Sequence, residues 1–191
     1  MCTISVIMSI YSEKVEWIRE SIDSILNQTF SDFEFIVIND NPKREDNKKI
    51  LSGYAQKDNR IVILTNEENI GLTKSLNKGL DIAKGIYVAR MDADDISLPT
   101  RFQKQVDFLE NNSEYLVCGT NISYFGEKKK FTYSDWIKYE NDEIKASLMF
   151  NSCFAHPTVM IRKSVLDQNN IRYDEIYKQA QDYRLWEILS D

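Results

Sequence analysis

Three aspartates within four residues, Asp92, Asp94 and Asp95, directly follow an apolar stretch at 87–91. Carboxylates this close repel one another unless a cation or a proton relieves the repulsion. A divalent metal is the simplest relief, and oxygen ligands favour a hard ion such as Mn²⁺ or Mg²⁺. The cluster therefore predicts a site for a metal and an anionic ligand.

The same cluster also resembles an EF-hand loop or a group of helix-capping residues. An EF-hand loop also begins with Asp-x-Asp, but its sixth position is glycine and its twelfth is glutamate. Counted from Asp92, these positions are Ser97 and Gln103, which excludes an EF-hand loop. The aspartates could instead cap the following helix, because a helix N-terminus favours negative charge. Helix capping could be the whole role of Asp95, whereas the strand-end position of Asp92 and Asp94 favours metal and ligand binding.

The elements that position these aspartates form a regular alternation in the first half of the chain. Apolar strands are predicted at 4–8, 33–38, 61–64 and 87–91, and amphipathic helices lie between them, the third ended by Gly85. Continuous apolar strands are covered on both faces. The predicted fold class is therefore α/β, with three layers in the order α/β/α and a mostly parallel central sheet. Ligands of such sheets lie beyond the carboxyl ends of the strands, where Asp40 and the 92–95 cluster fall.

The second half of the chain has a less regular pattern. We predict a helix after Ser97 and Pro99, a strand at 116–119, a short helix at 144–150, a strand at 158–161 and a final helix at 182–189. Residues 125–139 show no clear period. The whole chain, 1–191, is predicted to be one domain, with a ligand-binding half at 1–98 and a second half at 99–191.

Charge and composition exclude several partners. The net charge of −6 argues against nucleic acid, whose phosphates require a basic surface. The short basic run that begins at Lys128 is expected in a solvated loop, with contact to an anionic membrane surface as the alternative. One histidine and three separated cysteines argue against a zinc site or a disulfide framework. No apolar segment approaches the roughly 20 residues that cross a bilayer, and no secretory signal begins the chain, so a cytoplasmic location is expected.

Five segments, in order, resemble family 2 glycosyltransferases, the inverting enzymes with the GT-A fold. The segment at 91–99, Met-Asp-Ala-Asp-Asp-Ile-Ser-Leu-Pro, is similar to their Asp-x-Asp region. The segments at 6–11, at 69–72 and at 180–186 are similar to the first strand with its uracil-contacting loop, to the Asn-x-Gly-Leu segment and to the Glu-Asp motif. The segment at 156–162, which begins His-Pro-Thr, is similar to a strand of members that build bacterial surface polysaccharides.

The resemblance implies a role for each matching position. Ser9, Tyr11 and Glu13 would line the nucleotide-base pocket, and Asp40 would accept a hydrogen bond from the base or ribose. Asp92 would contact the ribose beside Ala93, Asp94 would ligate the metal, and Asp182 would be the catalytic base.

The sequence departs from the family pattern at three positions. The second strand ends Asn-Asp-Asn-Pro at 39–42 instead of Asp-Asp-Gly-Ser. Leu76 stands where many members have arginine, so Lys74 or Arg90 would have to take over a donor contact. Gln181 replaces the glutamate that usually precedes the base Asp182.

The resemblance implies that the protein transfers a hexosyl group from a nucleotide diphosphate, expected to be UDP, to a glycan or lipid-linked acceptor. The setting would be bacterial surface-polysaccharide synthesis, at the inner face of the membrane. Family members continue beyond the equivalent of Asp182, so the acceptor side is expected to be incomplete. The alternatives are a non-catalytic nucleotide-sugar or glycan-binding module and a sugar-phosphate nucleotidyltransferase. The second would need a glycine-rich phosphate loop after the first strand, and residues 9–13 contain no glycine.

Overall fold

The computed structural model describes residues 2–126 and 129–190; Lys128, with the start of the basic run, lies outside them. The elements of the first half are β1 (Ile4–Ile10), α1 (Val15–Leu26), β2 (Phe33–Asn39), α2 (Glu45–Ala55), β3 (Ile61–Thr65), α3 (Leu72–Ile82) and β4 (Tyr87–Arg90). Those of the second half are α4 (Arg101–Asn111), β5 (Val117–Cys118), β6 (Ser123–Gly126), β7 (Lys129–Tyr133), α5 (Asn141–Leu148), a 3₁₀ turn (His156–Thr158), β8 (Met160–Arg162), α6 (Lys163–Gln168) and α7 (Gln181–Ser190).

Six strands form one sheet in the order β3-β2-β1-β4-β8-β5. The first four are parallel, with Ile7 of β1 between Ile36 of β2 and Arg90 of β4. Strand β8 runs antiparallel to both β4 and β5. Strands β6 and β7 form a separate antiparallel pair. The prediction of a mostly parallel sheet is confirmed.

Two apolar cores cover the two faces of the sheet. One core combines alternate residues of β1, β2 and β4 with the buried faces of α1, α2 and α4. The other combines Ile7, Ile36 and Val88 with α3, α6 and α7. The strands are therefore continuously apolar because both faces are buried, and the predicted three-layer α/β/α architecture is confirmed.

The predicted helix end at Gly85 is wrong. Helix α3 ends at Ile82, and Ala83 is its C-cap in an extended conformation. Gly85 does not have a positive φ; it is needed instead because a Cβ there would lie 2.4 Å from the backbone nitrogen of Ser5. Within the described part of the chain, no helix combines the length and apolar character needed to cross a membrane.

Candidate functional site

The predicted donor-site residues other than Lys74 lie at or just after the ends of three neighbouring parallel strands. Strand β1 lies between β2 and β4, so the chain order reverses beside β1, and ligands of open α/β sheets bind at such a point. Ser9 lies at the end of β1, Asp40 directly follows β2, and Asp92 follows β4. The Asp40 amide donates to the Ile10 carbonyl at 2.9 Å, which joins the β1 and β2 ends. The structure thus brings these three segments to one edge of the sheet.

The loop after β1 is held from both sides. The amide of Tyr11 donates to Glu13 Oε2 at 2.7 Å, and the carbonyl of Tyr11 accepts from the side-chain amides of Asn41 and Asn47. Arg44 also donates to the carbonyl of Glu13 at 2.7 Å. These contacts fix the backbone while the Tyr11 ring remains 45% exposed. The ring is therefore available to stack against a planar ligand.

Asp40 is buried, and its carboxylate already has partners within the chain. It accepts from Asn66 Nδ2 at 2.8 Å and from the amides of Ile70 and Gly71 at 2.9 Å each. Gly71 has a φ of 85°, a conformation that favours glycine, and α3 begins at the next residue. Asp40 therefore fixes the loop that leads into α3. An ionised carboxylate offers about four acceptor positions, so about one remains for a ligand.

Lys74 and Ser9 differ in their surroundings. Lys74 lies exposed in the first turn of α3, and among residues 2–126 and 129–190 it makes no hydrogen bond or ion pair. Ser9 is half-buried within β1. The structure does not join Lys74 to the aspartate cluster.

The aspartates after β4 have three different environments. Asp92 Oδ1 accepts a hydrogen bond from Arg90 Nη2, and its carbonyl accepts from Ser21 Oγ at 2.8 Å. Ala93 is buried in the core. Asp94 is exposed, and no described residue bonds its carboxylate. Burial raises the pKa of Asp95 to about 6, and the charges of Asp92 and Asp94 add to this rise. The cluster thus carries more negative charge than its neighbours neutralise.

This excess charge suits a cation, although the protein supplies few ligands. Among the described residues, no group of three or more His, Cys, Asp or Glu side chains is arranged to hold a metal ion. A divalent ion at Asp94 would therefore take its remaining ligands from a bound molecule or from water. Such an arrangement fits Mg²⁺ or Mn²⁺ bound together with phosphate oxygens.

Asp182 lies half-buried in the first turn of α7. Ala180, which precedes the helix, adopts a left-handed conformation with a φ of 58°, and its carbonyl accepts the Arg184 amide at 3.1 Å. Leu185 and Trp186 anchor the helix in the second core. Within the described part of the chain, the Asp182 carboxylate makes no hydrogen bond, which leaves it available to a ligand.

His156, which is half-buried, pairs with the buried Tyr173 and packs edge-on against Trp186 of α7. His156 Nε2 lies 2.8 Å from the Tyr173 hydroxyl. Burial lowers the pKa of His156 well below 6.5, and the charge of Arg90 adds to this effect. Burial raises the pKa of Tyr173; Arg90 opposes the rise, and the charges of Asp182 and Asp92 add to it. Both carboxylates therefore lie within electrostatic range of one hydroxyl.

Sequence patterns gave little indication of Arg90 and Tyr173. The sequence offers Arg90 only as a substitute for a family arginine, and its one signal is that it is a charged residue inside an apolar strand. Tyr173 lies in a segment without periodicity, so no signal could have identified it.

A cleft of about 660 Å³ lies elsewhere, between α4, β5, α5 and α7. Its walls are mostly apolar and include Phe108, Ile144 and Trp186. None of the predicted donor-site aspartates lines it. Its lining residues all belong to the 99–191 half of the molecule.

The chain is similar in sequence to known glycosyltransferases. The family model described as glycosyl transferase family 2 matches residues 5–169. An uncharacterised glycosyltransferase of Methanocaldococcus jannaschii is 38% identical over 187 residues, which cover 96% of this chain and 63% of the relative. The O-antigen biosynthesis glycosyltransferase WbnJ of Escherichia coli is 40% identical over 185 residues, covering 96% of this chain and 70% of the relative.

The fold also matches solved structures. Residues 1–349 of TarS from S. aureus, in complex with UDP, align with a TM-score of 0.78 at 23% identity, covering 98% of this chain and 55% of that one. The chain therefore has the GT-A fold. It spans between about half and about two thirds of the length of these relatives.

Proposed function

Because the chain belongs to glycosyl transferase family 2, we propose that it transfers a hexosyl group from a nucleotide diphosphate to a saccharide acceptor, with inversion. The observation that supports this most is the aspartate cluster after β4, at the point where the strand order reverses beside β1. The O-antigen relative in E. coli makes a glycan or a lipid-linked saccharide of a surface polysaccharide the expected acceptor.

The donor would lie across the ends of β1, β2 and β4. Ser9, Tyr11 and Glu13 would line the base pocket, where the exposed Tyr11 ring is free to stack. The remaining acceptor position of Asp40 would face the base or ribose. UDP is the proposed nucleotide, because a protein of the same fold, TarS, binds it.

The diphosphate would meet the aspartate cluster. Asp92 would accept from the ribose beside Ala93, and Asp94 would hold Mn²⁺ or Mg²⁺. A bound divalent ion supplies charge neutralisation for the departing diphosphate. Lys74, exposed in the first turn of α3, could add a positive charge toward the donor.

Asp182 is the proposed catalytic base. Its carboxylate has no partner in the described part of the chain and lies within electrostatic range of Tyr173, as Asp92 does. It would remove the proton of the acceptor hydroxyl as that oxygen attacks the anomeric carbon. A single displacement of this kind inverts the anomeric configuration.

The proposed setting is the cytoplasmic face of the membrane, where a lipid-linked acceptor would be available. Membrane association would be peripheral. Lys128, at the start of the basic run, lies outside the described residues.

The donor site can be tested by titrating UDP into the protein in a calorimeter, with and without MnCl₂. We expect binding that depends on the metal and that falls at least tenfold in Asp94→Asn, since a metal-ligating carboxylate is lost. Asp107→Asn, an exposed aspartate of α4, is the matched control and should bind as the wild type does. Equal binding by Asp94→Asn and the wild type would exclude the proposed metal site.

A further inference from the structure

Arg90 is a charged residue in an apolar layer. It is the last residue of β4, and its side chain is 3% exposed. Ile7, Val88 and Val159 surround a small cavity beside it, together with Tyr173. A guanidinium in such surroundings is costly unless it is paired and hydrogen-bonded.

The hydrogen bonds of Arg90 only partly offset this cost. Nη2 donates to Asp92 Oδ1, but Nε and Nη1 have no partner among the described residues. The neighbouring buried arginine, Arg101, differs because its donors reach backbone carbonyls and an amide. It donates to the carbonyls of Arg90 at 2.9 Å and Val159 at 3.3 Å, and to Gln105 Oε1 at 2.9 Å. Arg101 thus joins structural elements, whereas Arg90 is directed at one carboxylate.

Stability alone does not explain the Arg90–Asp92 pair. Replacing a buried ion pair with apolar residues is often neutral or stabilising. The Asp92 side chain is 34% exposed, so the pair joins a buried cation to a carboxylate at the site surface. No described residue bonds the second carboxylate oxygen, Oδ2, of Asp92.

We propose that Arg90 is a positioning residue: it holds one oxygen of Asp92 so that the other is presented to the ribose of the donor. This role rests on the proposed donor site. Arg90 itself does not touch the donor, because it is buried beneath Asp92. The two residues would therefore act as one unit in donor binding.

A double-mutant cycle tests this unit, with UDP and MnCl₂ as the probe in calorimetry. We expect Arg90→Met and Asp92→Asn each to weaken UDP binding roughly tenfold, the scale of one charge-assisted contact. The double variant should bind no more weakly than Asp92→Asn, since Arg90 acts through that residue. If the double variant lost UDP affinity by the product of the two single-variant losses, the proposal would be overturned.

Lysine variants keep the test informative if Arg90→Met folds poorly. Arg90→Lys retains the charge but cannot reproduce the planar guanidinium, so its UDP affinity should fall between those of the wild type and Arg90→Met. Arg101→Lys makes the same change in the adjacent buried arginine and should lower stability in urea without changing UDP affinity. Equal affinity losses in the two lysine variants would show a merely structural effect and would overturn the proposal.

The titration of the wild type with UDP tests the proposed donor site separately from the proposed role of Arg90. If the wild type binds no UDP with Mn²⁺ or Mg²⁺, the proposed donor site fails, and the role of Arg90 fails with it. If the wild type binds UDP and Arg90→Met binds it equally well, only the role of Arg90 fails.

Discussion

Carboxylates with similar sequence signals have different environments in the folded chain. Asp40 is buried and holds the loop before α3, Asp92 is held by Arg90, and Asp94 and Asp182 have no hydrogen-bond partner in the described part of the chain. A carboxylate that is satisfied within the protein contributes structure, whereas one that is available can bind a cation or accept a proton. Asp94 and Asp182 are therefore the positions where substitution should change chemistry more than stability.

For Asp182→Asn, we expect donor hydrolysis or transfer to fall about 10²- to 10⁴-fold, the usual contribution of a general base. UDP affinity should stay unchanged, because Asp182 lies on α7 and not among the donor-binding loops. Turnover of UDP-sugars with MnCl₂, measured beside UDP calorimetry, checks both expectations.

Glu187→Gln is the control for this substitution, since it removes a carboxylate from the same helix. Among the residues that the structure describes, the Glu187 carboxylate pairs only with Arg184. If Asp182→Asn lowered UDP affinity as much as it lowers turnover, the proposed role of Asp182 as the base would be contradicted. A wild type that binds UDP-sugars but turns none over would instead favour a non-catalytic binding module.

His156 should make stability depend on pH. Burial holds the pKa of His156 well below 6.5. The imidazole therefore stays neutral in the folded protein at a pH where it takes up a proton in the unfolded chain. The unfolded state then binds more protons, so the free energy of unfolding falls as pH falls below 6.5, by at most about 1.4 kcal/mol per pH unit. Urea unfolding of the wild type and His156→Gln at about pH 7.5 and about pH 5.5 measures the difference.

The comparison with His156→Gln isolates this effect. Asp95, whose pKa is raised to about 6, changes stability in the opposite direction, but it is present in both proteins and cancels. His156 is the single histidine of the chain, so no other imidazole contributes. Equal pH slopes for the two proteins would show that His156 is not held neutral.

Part of the site could be predicted from the sequence because its residues follow strand ends. The apolar stretch before Asp92 and the turn after β2 place Asp40 and Asp92 at one edge of any parallel sheet. The hydrogen-bond partners of the site residues cannot be predicted in this way. The bonds from Ile70 and Gly71 to Asp40, and the contact of His156 with Tyr173, depend on loop paths that have no periodic signal.

At the scale of elements, Gly85 controls how closely the segment before β4 approaches β1. A Cβ at this position would lie 2.4 Å from the Ser5 nitrogen and 2.7 Å from the Ile4 carbonyl carbon, both in the backbone of a central strand. We expect Gly85→Ala to destabilise the protein by about 1–3 kcal/mol, the usual range for overpacking. Urea denaturation measures the change in the free energy of unfolding.

Gly53→Ala is the matched control for Gly85→Ala. Gly53 lies inside α2, and a Cβ there would meet no atom within 4 Å. Alanine should therefore stabilise the helix by about 0.5–1 kcal/mol. An unchanged free energy of unfolding in Gly85→Ala would show that the backbone near β1 can shift to accommodate the added methyl group.

Strands and helices with a strong hydrophobic periodicity were predicted correctly, whereas those with a weak periodicity were missed. Strands β1 to β4 and helices α1 to α3 were all predicted, because both faces of the strands are buried and the helices have one apolar face. The β6–β7 pair was not predicted, since most of it falls within residues 125–139, whose sequence shows no clear period. Helix α6 was also missed because it has six residues and follows β8 directly.

At the scale of the whole molecule, the two predicted halves share one sheet. Strand β8 of the second half pairs with β4 of the first. The second core joins Leu76 and Leu80 of α3 to Leu185 and Trp186 of α7. Both cores therefore combine residues of the two halves, and we expect that residues 1–98 do not fold alone.

We expect the chain to unfold in urea as one cooperative unit. In a Trp17→Phe/Trp136→Phe variant, fluorescence reports only on Trp186, which is buried in the second half, while circular dichroism reports on all helices. Because the halves share a sheet and a core, both signals should give one midpoint. UDP with MnCl₂ at about 100 times its dissociation constant should stabilise the folded state by about 2.7 kcal/mol and move both midpoints together. A fluorescence midpoint that stays in place while the dichroism midpoint moves would show that the 99–191 half unfolds independently of the donor-binding half.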